Sequence, residues 1–379
     1  MKILVLNSGS SSLKASLFTV KKSKPQHYAD FIIDGIKQKD CEFRYQIDDQ
    51  KFSQKIKVQT HEEAIDLVFT KIEKSEIKAV GHRVVHGGDK YSQATKIDRK
   101  LLKEIKKLST LAPLHNPINL RSIIHCQKLL AKAEHIAVFD TAFHQSMGEK
   151  AYLYGLPYSM FKKDGVRRYG FHGSSHKYVV GEAVKIIGKK NAKIISCHLG
   201  NGSSITASIN GKSIDTSMGI TPLEGVMMGS RSGSIDPAIA LNLVKKIGAD
   251  KAMDLLNNQS GLKGFSEISS DMRKIFQKNS PRSKLTISLL SYQIAKYCGA
   301  YAAAMNGLNG IVFTGGIGEN AWYIRKEVSE YLEFLGLKLD LKANKSNKNE
   351  ISTEDSKIRA LVIKTDEEKQ IAIETLALI

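Results

Sequence analysis

Cysteine is scarce in this chain and widely scattered. Cys41, Cys126, Cys197 and Cys298 are the whole complement in 379 residues, and none falls in a CxxC or Cys/His metal spacing. A disulfide scaffold and a zinc ribbon are thereby excluded. Four reduced, mostly buried thiols in a cytoplasmic protein are expected instead. Long apolar runs are missing too, since no segment approaches the ~18 apolar residues of a membrane span. The opening run, Ile3 to Leu6, turns polar at Asn7 and is too short for the core of a signal peptide. No Pro/Gly-rich linker or low-complexity tract interrupts the chain. With 42% hydrophobic and 25% charged residues, the composition is that of a soluble globular protein and excludes a disordered, collagen-like or coiled-coil chain.

Acidic residues are few beside the basic ones: 38 Asp+Glu against 57 Lys+Arg, a formal charge of +19. Such a balance suits nucleic acid, an anionic membrane or anionic small substrates. Arg supplies only 11 of the 57. The lysines are scattered, as at Lys21, Lys22 and Lys24 or Lys103, Lys106 and Lys107, with no aromatic stacking motif or nucleic-acid-binding module. The excess reads chiefly as solvated surface, and neither nucleic acid nor membrane is expected as a partner.

The length suggests two or three domains. Ile3–Leu6 and Leu13–Val20 read as strands around a Gly/Ser turn, and further strands follow up to Thr60. Apolar residues at 3–4-residue steps predict helices around Ala64–Ile72, Leu101–Leu108, His176–Ile187, Leu285–Leu308 and Ile324–Leu335. Short buried strands are predicted at Ile136–Phe139, Ile194–Cys197, Ile311–Phe313 and Arg359–Ile363. The alternation argues for an α/β architecture. Ser11-Ser12-Leu13-Lys14-Ala15-Ser16-Leu17 aligns with Ser203-Ser204-Ile205-Thr206-Ala207-Ser208-Ile209, 192 residues later. Each follows a hydrophobic strand and a Gly-containing polar turn, which points to a duplicated domain.

Polar residues concentrate in a few Gly-rich stretches. Asn7-Ser8-Gly9-Ser10-Ser11-Ser12-Leu13-Lys14 is either a hairpin turn or a loop offering N–H groups to phosphate, and it lacks the Walker pattern. His198-Leu199-Gly200-Asn201-Gly202 is its partner loop. Thr314-Gly315-Gly316-Ile317-Gly318-Glu319-Asn320 follows a strand, precedes a helix and is placed to cradle a nucleotide, although it is not the dinucleotide fingerprint. Gly81-His82-Arg83-Val84-Val85-His86-Gly87-Gly88 and Gly229-Ser230-Arg231-Ser232-Gly233 each set one Arg among small residues. Each is an exposed loop Arg or a two-pronged grip on an oxyanion. His172 and His176 have an HxxxH spacing but lack the glutamate and third ligand of a zinc site. Asp140 ends one strand and Asp366-Glu367-Glu368 follows another, positions suited to Mg²⁺ or to a helix dipole.

Taken together, these motifs resemble the acetokinase (acetate kinase) family. The resemblance rests on Asn7 to Lys14, Gly81 to Gly88, Gly170 to His176, His198 to Ser204, Met218-Gly219-Ile220-Thr221-Pro222-Leu223-Glu224-Gly225 and Phe313 to Asn320. It runs from residue 3 to about 377. It implies two duplicated actin-like ATPase (ribonuclease H-like) α/β domains with the nucleotide in the cleft between them. The domains would be 1–146 with 366–379 packed back, and 147–365, in a cytoplasmic homodimer. The implied activity is reversible in-line transfer of the ATP γ-phosphoryl group to acetate, with propionate or butyrate kinase as the alternative. ATP/ADP is the co-substrate and Mg²⁺ the cofactor, with Mn²⁺ as a substitute.

Residue by residue, the resemblance assigns metal binding to Asn7 and Glu367. Nucleotide contacts fall on Lys14, His198, Leu199, Gly200, Asn201, Gly202, Asp271, Met272, Arg273, Gly316, Ile317, Gly318, Glu319 and Asn320. Arg83 would grip the substrate carboxylate, and Val85, Leu114, Phe171 and Pro222 its methyl group. Asp140 is the implied catalytic group, with His172 and Arg231 stabilising the transferring phosphoryl. The family reads Gly-Thr-Arg-Ser-Gly-Asp where this chain has Gly229 to Ser234, and Thr-Asn-Glu-Glu where it has Asp366. Both departures spare the implied site side chains.

Overall fold

The computed structural model describes residues 1–112 and 115–379. The chain packs as two compact units, Met1–Phe143 with Asp366–Ile379, and His144–Thr365.

The first unit is built on an eight-stranded sheet. Its strands are β1 (Lys2–Ser8), β2 (Ser12–Lys21), β3 (Lys24–Asp34), β4 (Cys41–Ile47), β5 (Gln50–Ile56), β6 (Ile77–Val84), β7 (Thr95–Lys96) and β8 (Glu134–Phe139). They lie in the order β5-β4-β3-β2-β1-β6-β8-β7. β1 runs antiparallel to β2 but parallel to β6, and β6 parallel to β8. β1 is apolar on both faces because both are covered. Ile3 and Val5 pack on Ile371 and Ala372 of the C-terminal helix Glu367–Leu376. Leu4 and Leu6 share a core with Ala64, Ile65 and Val68 of helix His61–Phe69 and with Cys126 of helix Asn116–Leu129. Gly81 lets the C-terminal helix lie close to β6, since a Cβ there would fall 2.3 Å from Thr375 Oγ1.

The second unit holds β9 (Lys193–Leu199), β10 (Ser203–Ile209), β11 (Lys212–Thr216), β12 (Gly310–Thr314) and β13 (Arg359–Val362). Their order is β11-β10-β9-β12-β13. Here β9–β10 and β10–β11 are antiparallel, whereas β9–β12 and β12–β13 are parallel. This repeats β3-β2-β1-β6-β8 in both order and sense, so the duplication visible in the Ser-rich repeats is a duplication of topology. Helix Gly173–Ile187 covers one face through Val179, Val180 and Ala183. Helices Pro281–Ala304 and Trp322–Tyr331 cover the other.

One expected loop is a helix. The Gly-rich stretch after β12 coils at once as Gly315–Asn320. Gly315, at φ +76°, makes the turn where a Cβ would meet the Leu199 carbonyl oxygen at 2.7 Å. The Glu319 carboxylate then accepts from the Gly315 N–H at 3.0 Å and the Thr365 N–H at 3.2 Å.

Candidate active site

In the first unit the ends of three central strands bring Asn7, Arg83 and Asp140 together. Arg83 donates to Asp140 through Nε, at 3.1 Å from Oδ1, and through Nη2 to Oδ2. Its Nη1 donates to Asn7 Oδ1 at 3.1 Å, and Asn7 Nδ2 donates to Glu368 Oε1 at 3.3 Å. The Asp140 side chain is 2% exposed and that of Arg83 15%, so this is a buried two-pronged ion pair. Burial draws the Arg83 pKa down, but Asp140, Glu367 and Glu368 outweigh it and hold the guanidinium more firmly protonated than usual. Glu367 opens the C-terminal helix beside this pair. Burial pushes its carboxyl up to about 7; Arg83 and Lys14 pull the other way, and Glu368 and Asp140 add to the rise. Three carboxyl groups thus face one Arg and one Lys. These are hard oxygen donors with surplus negative charge, a set that fits Mg²⁺. Lys14, opposite Asn7 on β2, stands with this group.

The loop after Arg83 is held by helix Asn116–Leu129. Asn119 Oδ1 accepts from the Val85 N–H at 3.2 Å, and its Nδ2 donates to the Ser8 carbonyl at 2.9 Å. Asn116 makes a matching pair of 3.1 Å bonds to the His86 backbone. Val85 is buried; Leu114 lies outside the described residues.

The second unit gathers four histidines, each bonded to a serine. His172 sits at φ +57° just before helix Gly173–Ile187, and its Nδ1 meets Ser204 Oγ at 2.9 Å. The same hydroxyl lies 2.7 Å from His176 Nε2, whose Nδ1 meets Ser196 Oγ at 2.7 Å. Both nitrogens of His176 are therefore bonded to serines, which removes it from any zinc pair with His172. His198 stacks on His172 with ring centroids 4.3 Å apart and bonds Ser175 Oγ through Nδ1 at 2.7 Å. His144 bonds the Phe171 carbonyl at 2.9 Å and Ser213 at 3.0 Å. Phe171 is buried there. Burial holds the imidazole of His144 down at about 4 and that of His176 well below its ordinary value.

Arg231 lies beside this group and is partly buried. Among the described residues its Nη1 reaches only the Pro222 carbonyl at 3.3 Å and Met228 Sδ at 3.8 Å, and no carboxylate pairs with it; burial lowers its pKa. Gly202 separates it from His172: a Cβ there would lie 3.1 Å from His172 Nε2 and 3.7 Å from Arg231 Nη1. The Pro222 loop is fixed by Arg168, which donates to the carbonyls of Thr216, Ser217 and Met218 and to Glu224 at 2.6 Å. Glu224 in turn accepts from the Tyr154 hydroxyl at 2.5 Å. The two family departures make local contacts only. Ser234 Oγ accepts from the Gly225 N–H at 3.0 Å, and Asp366 caps its helix through the Lys369 N–H at 3.0 Å.

A pocket of about 770 Å³ opens in the same unit, lined by Gly200, Asn201, Asp271, Met272, Arg273, Gly316, Ile317 and Asn320 among others. Eight residues assigned to the nucleotide therefore share one cavity. His198, Leu199, Gly202, Gly318 and Glu319 stand behind or beside it and are not in its lining. The sequence reading missed Phe276, Trp322 and Tyr323 on the wall, where Phe276 and Tyr323 stack at 3.8 Å. It also missed the bridging serines and the two Asn clamps. The aromatic run Trp322-Tyr323 beside the Gly-rich stretch was the available signal for the wall.

The repeated five-strand topology, with a carboxylate–Arg group in one copy and a Gly-lined pocket in the other, is that of an actin-like α/β phosphotransferase. The model of the acetokinase family matches residues 2–373, and the chain belongs to that family. An acetate kinase of Carboxydothermus hydrogenoformans is 49% identical over 401 aligned positions, covering 100% of this chain and 99% of that one. The solved acetate kinase of Porphyromonas gingivalis superposes with a TM-score of 0.91 at 40% identity, covering 100% and 99% of the two chains. A solved propionate kinase from Francisella tularensis gives 0.94 at 40% identity, covering 100% of both.

Proposed function

We propose that this protein transfers the γ-phosphoryl group of ATP reversibly to acetate, giving acetyl phosphate and ADP. The observation that carries the reading is Arg231, a largely buried guanidinium without a carboxylate partner among the described residues, set across Gly202 from His172. Such a group is a waiting receptor for an oxyanion. Asn201, Asp271, Met272, Arg273, Gly316, Ile317 and Asn320 would hold the nucleotide, with phosphates toward the His198–Gly202 turn, and Lys14 is proposed as a further nucleotide contact.

A carboxylate is already ionised at neutral pH, carboxyl pKa values lying near ~4, so the acceptor needs no strong base. In this mechanism Arg83 steers the acetate carboxylate with its uncommitted N–H groups, and Asp140 positions Arg83 instead of removing a proton. His172 and Arg231 then neutralise the charge spread over the transferring phosphoryl. Glu367 and Asn7 would hold Mg²⁺, or Mn²⁺ in its place, which supplies further charge neutralisation on phosphate oxygens when bound. Val85, Phe171 and Pro222 would face the methyl group. The protein would work as a cytoplasmic homodimer; helix Pro237–Ile247 supports pairing, with Ile239, Leu241 and Val244 exposed at 51%, 65% and 43%.

A second reading, propionate as acceptor, is favoured by the full-length match to the Francisella propionate kinase. One methylene is worth only ~1–3 kcal/mol, so pocket volume decides, and butyrate extends the same series. The test traps acyl phosphate as hydroxamate with hydroxylamine, ATP and Mg²⁺, across acetate, propionate and butyrate. Highest kcat/KM on acetate supports the proposal, highest on propionate the second reading, and no hydroxamate from any acid sinks both.

A further inference from the structure

Away from the site, on the face of the sheet opposite the C-terminal helix, three soft or borderline ligands converge. His82 lies on β6, His135 on the neighbouring β8 and Cys126 on helix Asn116–Leu129. One nitrogen of each imidazole and the thiol sulfur all lie within 4.8 Å of one another. The three residues are 2%, 7% and 0% exposed in that order. His82 Nε2 meets His135 Nδ1 at 2.9 Å, and His135 Nε2 meets the Leu130 carbonyl at 3.2 Å. A carbonyl only accepts, so His135 carries its proton on Nε2 and turns the Nδ1 lone pair toward the cluster. A backbone carbonyl holding the outer nitrogen of an imidazole is the usual support of a metal-binding histidine. Among the described residues the Cys126 thiol makes no hydrogen bond, although it is fully buried. The mechanism uses none of the three.

We propose that His82, Cys126 and His135 form a buried site for a soft monovalent d¹⁰ cation, Cu⁺. Two imidazoles and a thiolate are the donor types such an ion selects. Charge chooses between it and zinc. Cu⁺ with one thiolate is neutral, whereas Zn²⁺ with the same ligands leaves a net positive charge in a dry interior, which is strongly unfavourable. On binding, the Cu–S bond forms as the thiol proton leaves to buffer. The His82 proton moves from Nε2 to Nδ1, freeing Nε2 for the metal. No oxidation occurs, and the metal-free protein remains folded because the His82–His135 bond already satisfies the pair. The bound ion ties the helix to β6 and β8, so loading raises the melting temperature.

The test is an anaerobic titration of the full-length protein with Cu⁺ against bicinchoninate, followed by X-ray absorption on the complex at one equivalent. The expected result is one tightly held ion with a shell of one sulfur and two imidazole nitrogens. Cys126→Ser and His135→Gln should each weaken binding by at least ~100-fold, and Cys197→Ser should leave it unchanged. Cys197 and Cys298 offer a rival pair of buried thiols, 3.8 Å apart. A sulfur-only shell, binding lost in Cys197→Ser but kept in Cys126→Ser, or no binding at all would overturn the proposal. Should either substituted protein misfold, the ligand shell of the unaltered protein decides alone.

Discussion

Asp140 grips Arg83 with both carboxylate oxygens, and Asn7 holds the remaining side of the same guanidinium. The group proposed to receive the substrate carboxylate is therefore positioned by a carboxylate of the protein. Removing one partner leaves the other charge buried and unpaired. Asp140→Ala should cost ~3–5 kcal/mol of stability, seen as a fall in the urea midpoint, together with a large loss of kcat/KM for acetate. The double substitution Arg83→Met with Asp140→Leu should recover much of the stability and none of the activity. An unchanged midpoint for Asp140→Ala would show that the pair is not stabilising.

Arg231 has no such partner among the described residues, so its loss should be felt in the reaction and not in the fold. Arg231→Ala is expected to lower kcat by ~10²–10³-fold with little change in ATP affinity measured by calorimetry. Arg231→Lys keeps the charge without the planar fork and should recover only part of the rate. Equal losses of kcat and ATP affinity would place Arg231 on the nucleotide instead.

Gly202 keeps open the space between His172 Nε2 and Arg231 Nη1. Gly202→Ala should depress kcat by at least ~10-fold, since a 1 Å misplacement costs up to ~10²-fold, while the melting temperature stays near its original value. Wild-type kcat in that variant would mean that the space is not used by the transferring group.

Six buried histidines set an acid limit on stability. His86 and His144 are held at about 4 by burial, and His61, His82, His135 and His176 are also lowered, with burial the largest cause in each. The unfolded chain takes up these protons near ~6.5, the folded chain only at lower pH. Their contribution is therefore fully present above pH ~6.5 and is lost as pH falls toward 4. Urea unfolding at pH 7.5 and 5.0 should show a clearly lower midpoint at pH 5.0, and His144→Gln should reduce that difference. A midpoint that is flat over this range would contradict the assignment.

Much of this fold can be read from residue patterns, and the exceptions have physical causes. The duplicated hairpins were legible because each pairs an apolar strand with a Ser-rich return, a contrast that survives in both copies. Helix Asn116–Leu129 was not read, because its buried face carries Asn116, Asn119 and Ser122 along with Ile123 and Cys126. Those polar groups point inward, the two Asn to clamp the Val85–His86 backbone and Ser122 to meet Ser8 Oγ, which inverts the pattern a surface helix shows. Helices Pro237–Ile247 and Ala249–Asn258 were hidden for the opposite reason: Leu241 and Met253 are 65% and 60% exposed. Gly315–Asn320 looked like a loop because its glycines favour one, but Glu319 closes it into a helix through contacts distant in sequence. The roles of Arg83, Asp140 and Arg231 were implied by the family resemblance. Their difference, two paired with each other and one unpaired, appears only in three dimensions.

The central claim is that a carboxylate oxygen of acetate becomes bonded to the γ-phosphorus of ATP. Acetate labelled with ¹⁸O at both oxygens, incubated with ATP, Mg²⁺ and the enzyme, tests it by ³¹P NMR. The account predicts an acyl phosphate resonance with the isotope shift of one ¹⁸O on phosphorus, growing in step with ADP. Release of inorganic phosphate alone, or an unchanged ATP spectrum, would contradict it.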